Sequence, residues 1–233
     1  MNCMKLKQLP GCLDRPRTWQ RYLKSRGIYS GSIDGKLEGA TAAATQNYQK
    51  KTGKRDDDLF CLSFERPDKD HYTEDNTQGP VYLTGPIRDV LRPIAYGYYL
   101  LTGKDLVMKS GLRKPETQAR LMYEKAKRGS SALGIYNWTL RKPIEDAYEE
   151  KTKASAGEQA TIDAITAIIQ AQMNRHDYIS KHLTGRAFDV RNRTMNRCEK
   201  EVFEAVVKVV LGSTHGHLIG NEPGGPPHFH VQF

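Results

Sequence analysis

Four side chains in the last third of the chain have the types and spacing to do chemistry. His182 and Asp189 lie in Ser180-Lys-His-Leu-Thr-Gly-Arg-Ala-Phe-Asp189, and His228 and His230 lie in Pro226-Pro-His-Phe-His-Val-Gln-Phe233. Imidazole nitrogens and a carboxylate oxygen are the donors of a catalytic metal site, which takes three protein ligands and keeps a fourth position open for water. His228 and His230 are two residues apart, so on a strand both point to the same face. Gly185 breaks the segment between His182 and Asp189, and Ala187-Phe-Asp-Val190 has the pattern of a strand entry. A histidine before that turn and a carboxylate on that strand can therefore both face the histidine pair. Neither half is decisive alone. A second His-x-His stands at His215 and His217, and most His–Asp pairs are hydrogen bonds or salt bridges. The combination points to a metal site split over two segments.

Elements to position these groups are legible around them. Trp19, Tyr22 and Leu23 form an apolar stripe at helical spacing, closed by Gly27. After a turn-rich loop, Ser30-Gly-Ser-Ile-Asp-Gly35, a second helix runs through Thr41–Gln49 and ends near Gly53. The two loop glycines are expected to supply positive φ. Residues 55–80 are polar and read as a linker. Beyond them the spacing predicts a helix over Pro86–Leu101, a strand over Lys104–Gly111, and helices over Pro115–Lys127 and from Gly157 to about Arg175. A last helix, Glu199–Leu211, is expected to bury Val202, Phe203, Val206, Val209 and Val210. Short strands are expected at His215–Ile219 and His228–Phe233. Helices mixed with short strands, without regular βαβ alternation, give an α+β domain with a small antiparallel sheet and flanking helices.

Bulk properties narrow the function classes. The chain has 233 residues, 38% hydrophobic and 27% charged, with a formal net charge of +9. That composition suits a globular protein with its own core, and no apolar run approaches the ~20 residues of a membrane span. A basic surface favours polyanions such as nucleic acid, anionic lipid or acidic wall polymers. The chain has no zinc-finger spacing and no basic helix with a dimerisation seam, which argues against nucleic acid. Cysteines at 3, 12, 61 and 198 show no Cys-x-x-Cys pairing, and free thiols are the expectation. The N-terminus has no apolar signal region, so synthesis in the cytoplasm is expected.

Two resemblances sharpen this reading. Trp19-Gln20, Leu23, Gly27, Tyr29, Gly31, Ile33-Asp34-Gly35, Thr41, Ala44 and Tyr48-Gln49 resemble the small all-α three-helix peptidoglycan-binding module of wall hydrolases. That implies a module over residues 1–54, with Tyr29 and the glycine loop as its glycan surface. Over Val81–Phe233, Ser-x-His-x-x-Gly-x-Ala-x-Asp followed by His-x-His resembles the peptidase family that includes zinc D-Ala-D-Ala carboxypeptidases and phage endolysin peptidases. Its wider relatives are the lysostaphin-type enzymes and the Hedgehog-type fold. The resemblance implies a zinc ion (Zn2+) on His182, Asp189 and His230, with His228 as the acid/base group.

Another branch of that family carries an acidic residue three positions before the last ligand. This chain has Gly225 before His228 and Pro227 before His230, leaving Glu222 as the weaker candidate base. His217 is a further candidate for the cleft lining. Ser110-Gly-Leu-Arg113 resembles the family's Ser-Gly-Tyr-Arg segment. It implies Arg113 as a charge stabiliser, with Gln118 as an orienting amide in contact with substrate and Ser180 as an anchor or substrate contact. The implied protein is a monomeric phage-type endolysin, made in the host cytoplasm and released to the wall by a holin. It binds peptidoglycan, with neither nucleic acid nor a stable membrane insertion. The alternatives are a carboxypeptidase that trims stem peptides and a non-catalytic, zinc-stabilised wall-binding protein.

Overall fold

A computed structural model describes residues 10–53, 69–77, 79–212, 217–220 and 227–233. The described residues form an α+β protein with seven α-helices and a five-stranded sheet. No helix among them is long and apolar enough to cross a membrane. Cys3, Cys61 and Glu222 lie outside them, as do His215, the side chain of His217 and most of the expected linker.

The chain divides into two compact units. The first comprises Met1–Thr73, Asp89–Val107 and Thr194–Gly216. It contains α1 (Arg15–Ser25), α2 (Ala40–Thr52), all but the first turn of α3 (Gly85–Thr102) and α7 (Arg197–Leu211). The division therefore does not follow the boundaries expected at 54 and 81. The two N-terminal helices belong to a unit completed by distant segments, which fits the small core that a hairpin of ~40 residues can bury alone.

Trp19 stacks on Tyr22 with ring centroids 5.5 Å apart, and both rings pack edge-on to Tyr48. The Tyr22 and Tyr48 hydroxyls meet at 3.0 Å. Arg21 donates to Leu100 O at 2.7 Å and Leu101 O at 2.8 Å, satisfying carbonyls that the C-terminus of α3 leaves open. Helix α7 starts with a reciprocal capping box between Asn196 and Glu199. It buries Val202, Phe203, Val206 and Val207, while Val209 and Val210 are only half-buried. The cysteine expectation is overturned here. Cys12 and Cys198 form a disulfide, with Cα atoms 6.0 Å apart across 186 residues of sequence. Local spacing carries no information about such a pair.

The second unit comprises Glu74–Arg88, Met108–Arg193 and His217–Phe233. Its helices are α4 (Pro115–Lys127), α5 (Trp138–Lys153) and α6 (Glu158–Asn174). Pro115 opens α4 where a missing N–H costs nothing. Ala119, Met122, Ile144, Ile162, Ile165 and Ile169 bring the three helices into one apolar core. Helix α5 was not expected. Its sequence is polar, it carries Pro143 inside, and it buries only Ile144, so periodicity gave no signal. Asn137 caps it by accepting from Thr139 N at 2.9 Å.

The strands are β1 (Tyr72–Glu74), β2 (Leu106–Ser110), β3 (Ala187–Arg191), β4 (His217–Gly220) and β5 (His228–Gln232), in the sheet order β1-β2-β3-β5-β4. The β2–β3, β3–β5 and β5–β4 pairings are antiparallel. On β3 and β5, Phe188, Val190, Phe229 and Val231 are buried and alternate with the polar positions that carry the site.

Candidate metal centre

The register of β3 and β5 sets two of the donors face to face. Asp189 pairs directly with His230, and Arg191 with His228. Opposed residues in an antiparallel ladder project from the same face, so the period-two placement of His228, His230 and Asp189 gathers them on one side. His182 reaches that point from a 3-10 turn, Lys181–Thr184. Ser180 caps the turn by accepting from His182 N at 3.4 Å. Gly185 ends it in the left-handed region at φ +66°, which a residue with a Cβ adopts at a cost.

His182 Nε2 lies 3.2 Å from Asp189 Oδ1 and 3.2 Å from His230 Nδ1, and His230 Nδ1 lies 3.0 Å from Asp189 Oδ1. All three residues are buried, none more than 5% exposed. His182 Nδ1 donates to Gly111 O at 2.6 Å, which leaves the Nε2 lone pair pointing at the other two. The tautomer that gives His230 Nε2–H to Gln232 Oε1, at 3.4 Å, aims the Nδ1 lone pair at the same point.

Burial and the Arg113 charge hold the His182 imidazole below its ordinary pKa, so it is a neutral donor. Burial pushes the Asp189 carboxyl up, but the Arg113 guanidinium paired with it outweighs that, leaving it well below the ordinary carboxylate range. Two imidazoles and one carboxylate converging away from water form a donor set that suits a cation. With ligand bonds of 2.0–2.2 Å, neighbouring donors of a tetrahedral ion stand about 3.4 Å apart, close to the separations here. His182, Asp189 and His230 can hold a metal ion.

Comparisons with family models, with curated proteins and with solved structures give no match.

Around the three donors the other expected residues take definite places. His228 Nε2 is 3.8 Å from Asp189 Oδ1, and its side chain borders a cleft together with Arg113 and Asp189. Arg113 is tied down on three sides: Nη2 to Asp189 Oδ2, Nε to Ser110 Oγ at 2.8 Å, and Nη1 to Gln118 Oε1 at 3.3 Å. Gln118 is fully buried, so it orients Arg113 and is not a substrate contact. Ser180 likewise anchors the His182 turn and does not line the cleft.

Tyr29 departs furthest from expectation. It is buried at 7% exposure, its hydroxyl donates to Ser32 O at 2.7 Å, and its ring covers Gly31 so closely that a Cβ there would come within 2.5 Å of the hydroxyl. Gly31 thus makes room for a ring, and of the two loop glycines only Gly35 has positive φ.

Gly111 is the residue whose role was not foreseen. A Cβ on it would lie 2.2 Å from Tyr82 O, because Tyr82 and Leu112 form a close backbone bridge, with Leu112 N donating to Tyr82 O at 2.8 Å. That approach also brings the Gly111 carbonyl to His182. The signal was present as the glycine of Ser110-Gly-Leu-Arg113, but nothing in its spacing tied it to a histidine 71 residues away.

Proposed function

We propose that this chain is a zinc peptidase that hydrolyses an amide bond in the peptide part of peptidoglycan, in the manner of a phage endolysin. The observation that carries the reading is the convergence of His182 Nε2, Asp189 Oδ1 and His230 Nδ1 at 3.0–3.2 Å beside an open cleft. The resemblance of the Ser-x-His-x-x-Gly-x-Ala-x-Asp and His-x-His motifs to those of zinc peptidases supports zinc as the metal. A zinc ion held there supplies Lewis acidity, polarising a carbonyl and making water nucleophilic near neutral pH.

The protein's own groups divide the remaining work. His228, at the cleft edge, takes a proton from the attacking water and returns it to the departing amine. Arg113 puts fixed positive charge beside the oxygen that becomes anionic, and its ties to Ser110 and Gln118 hold it there before substrate arrives. The disulfide between Cys12 and Cys198 suits a protein whose substrate lies outside the reducing cytoplasm. The net charge of +9 suits an acidic wall polymer.

The test is metal analysis paired with digestion of purified peptidoglycan. Bound zinc and new amino termini are expected, both removed by a chelator and restored by zinc. Mass spectrometry of the fragments names the bond, and free alanine as the sole product would identify trimming instead. Cleavage that persists with no bound metal ends this reading.

A further inference from the structure

The sugar surface expected at Tyr29 is buried, but the second compact unit turns an aromatic ring to solvent. Trp138 is 56% exposed, the most exposed large apolar side chain among the described residues, and Ile135, three residues before it, is 43% exposed. Large apolar side chains gathered on one surface mark binding sites. An indole in particular offers a broad apolar plane with one N–H at its edge.

The ring sits on a fixed support. Asn137 caps α5 by accepting from Thr139 N at 2.9 Å and from Thr139 Oγ1 at 2.6 Å. Ile144 and the half-buried Leu140 tie the helix to the three-helix core. One turn on from Trp138, the Arg141 guanidinium lies over the indole, 5.0 Å from its centre, and Arg141 Nε is 3.7 Å from Glu145 Oε1.

The charge of the helix is balanced. Helix α5 carries four cations and four carboxylates, and each has a partner within the helix: Arg141 with Glu145, Lys142 with Asp146, Lys151 with Glu150 and Lys153 with Glu149. On a chain of net charge +9, the exposed indole therefore stands on a neutral element. Anionic membranes and nucleic acids select basic faces, so neither suits it. A flat apolar ring beside indole and amide N–H donors suits an uncharged pyranose, which has C–H groups on its face and hydroxyl and acetamido groups at its rim. Two residues from Trp138, Tyr136 lines the cleft that His228 and Arg113 border, and two residues of chain span at most about 7 Å.

We propose that Trp138 is a glycan subsite: its indole stacks on an uncharged N-acetylated sugar of the strand whose stem peptide enters the cleft past Tyr136. The inference rests on the peptidoglycan reading for the identity of that strand. It adds that the chain grips sugar and peptide together, on the same compact unit as the metal donors.

The probe is the β-1,4-linked tetramer of N-acetylglucosamine, which carries no peptide, added to the full zinc-loaded chain. The chain has two tryptophans, and Trp19 is only 6% exposed, so acrylamide quenching reads Trp138. The tetramer should protect that fluorescence. Titration calorimetry should find binding about tenfold weaker in Trp138→Ala and largely recovered in Trp138→Phe, which keeps an aromatic plane. Unchanged zinc content and thermal unfolding would show that both variants are intact. On stem peptide still joined to its glycan, Trp138→Ala should raise KM by a larger factor than on the free peptide.

Undiminished tetramer binding in Trp138→Ala overturns the proposal, and so does a tetramer that leaves quenching unchanged. Protection by phosphatidylglycerol vesicles in place of the tetramer overturns it in favour of a membrane surface. A dimer that dissociates on Trp138→Ala, with no tetramer binding, overturns it in favour of a second copy. If the tetramer is held at Trp138 but no peptide is cut, the peptidase reading fails and the subsite stands; if peptide is cut and the tetramer is not held, the subsite alone fails.

Discussion

The two compact units each bury a polar group, and the contrast between those groups separates architecture from chemistry. In the first, the Gln20 side chain is fully buried and fully answered. Its amide donates to Asp34 Oδ1 and Lys36 O at 2.8 Å, and its carbonyl accepts from Gly35 N at 2.8 Å. Asp34 also accepts from Lys36 N at 3.0 Å, and these bonds lower its pKa. Every donor finds an acceptor, and the result is a fixed loop. In the second, His182 Nε2, His230 Nδ1 and Asp189 Oδ1 face one another within 3.2 Å, while His182 Nδ1 is turned outward to Gly111 O. Buried groups that satisfy each other build a fold. Buried donors that jointly face one point can be completed by a cation.

Breaking each network should give opposite signatures. The largest effect is expected from Asp189→Ala, which removes the only carboxylate of the trio; metal analysis should find zinc at background and wall digestion should stop. Zinc retained at the wild-type level would mean that another residue supplies the charge.

Gly111→Ala comes next. Its methyl group collides with Tyr82 O and shifts the carbonyl that orients His182, an outer-shell defect expected to cost roughly 10–100-fold in metal affinity. Competition with a chelator measures it, and unaltered affinity would show that His182 is held by other contacts.

Gln20→Ala should leave zinc untouched and lower stability by about 1–3 kcal/mol, through the orphaned Gly35 N–H and Asp34. Denaturant unfolding reads the loss. A drop in zinc content in this variant would contradict the separation of the two networks.

The smallest effect is confined to acid. Asp75 accepts from Thr77 and pairs with Arg191, which lowers its carboxyl to about 2. A depressed carboxyl stabilises the fold above its unfolded value near ~4 and loses that contribution as pH falls towards the folded value. Thermal unfolding of the wild type should therefore weaken between about pH 4 and about 2 in excess of Asp75→Asn. Parallel curves for the two proteins would remove Asp75 from the acid response.

What the sequence disclosed follows the same division. The donor set was legible because two segments carrying donors, His182 to Asp189 and His228 to His230, occur in one chain, and the β3–β5 register brings them together. Helix α4 was legible from end to end, since Pro115 and the apolar spacing of Ala119 and Met122 both mark it. Aromatic and glycine motifs were far less specific. Trp19, Tyr29 and Tyr48 are the residues of a carbohydrate platform and equally those of a packed core, and here all three are buried. Helix α5 was hidden because it buries a single isoleucine, and the Cys12–Cys198 link because it depends on contacts far apart in sequence. The Gly111 carbonyl was hidden for a different reason: backbone acceptors leave no trace in residue type.

The Cys12–Cys198 link also changes what a protease can do to this chain. His182 and Asp189 lie inside the segment it closes, and His230 lies outside. A single cut between residues 12 and 198 leaves both fragments covalently attached, so a nicked molecule runs as one species on a denaturing gel until a reductant is added. Damage in that segment then resembles a change of connectivity more than a loss of parts, and the ends stay close enough for the fragments to re-form their contacts.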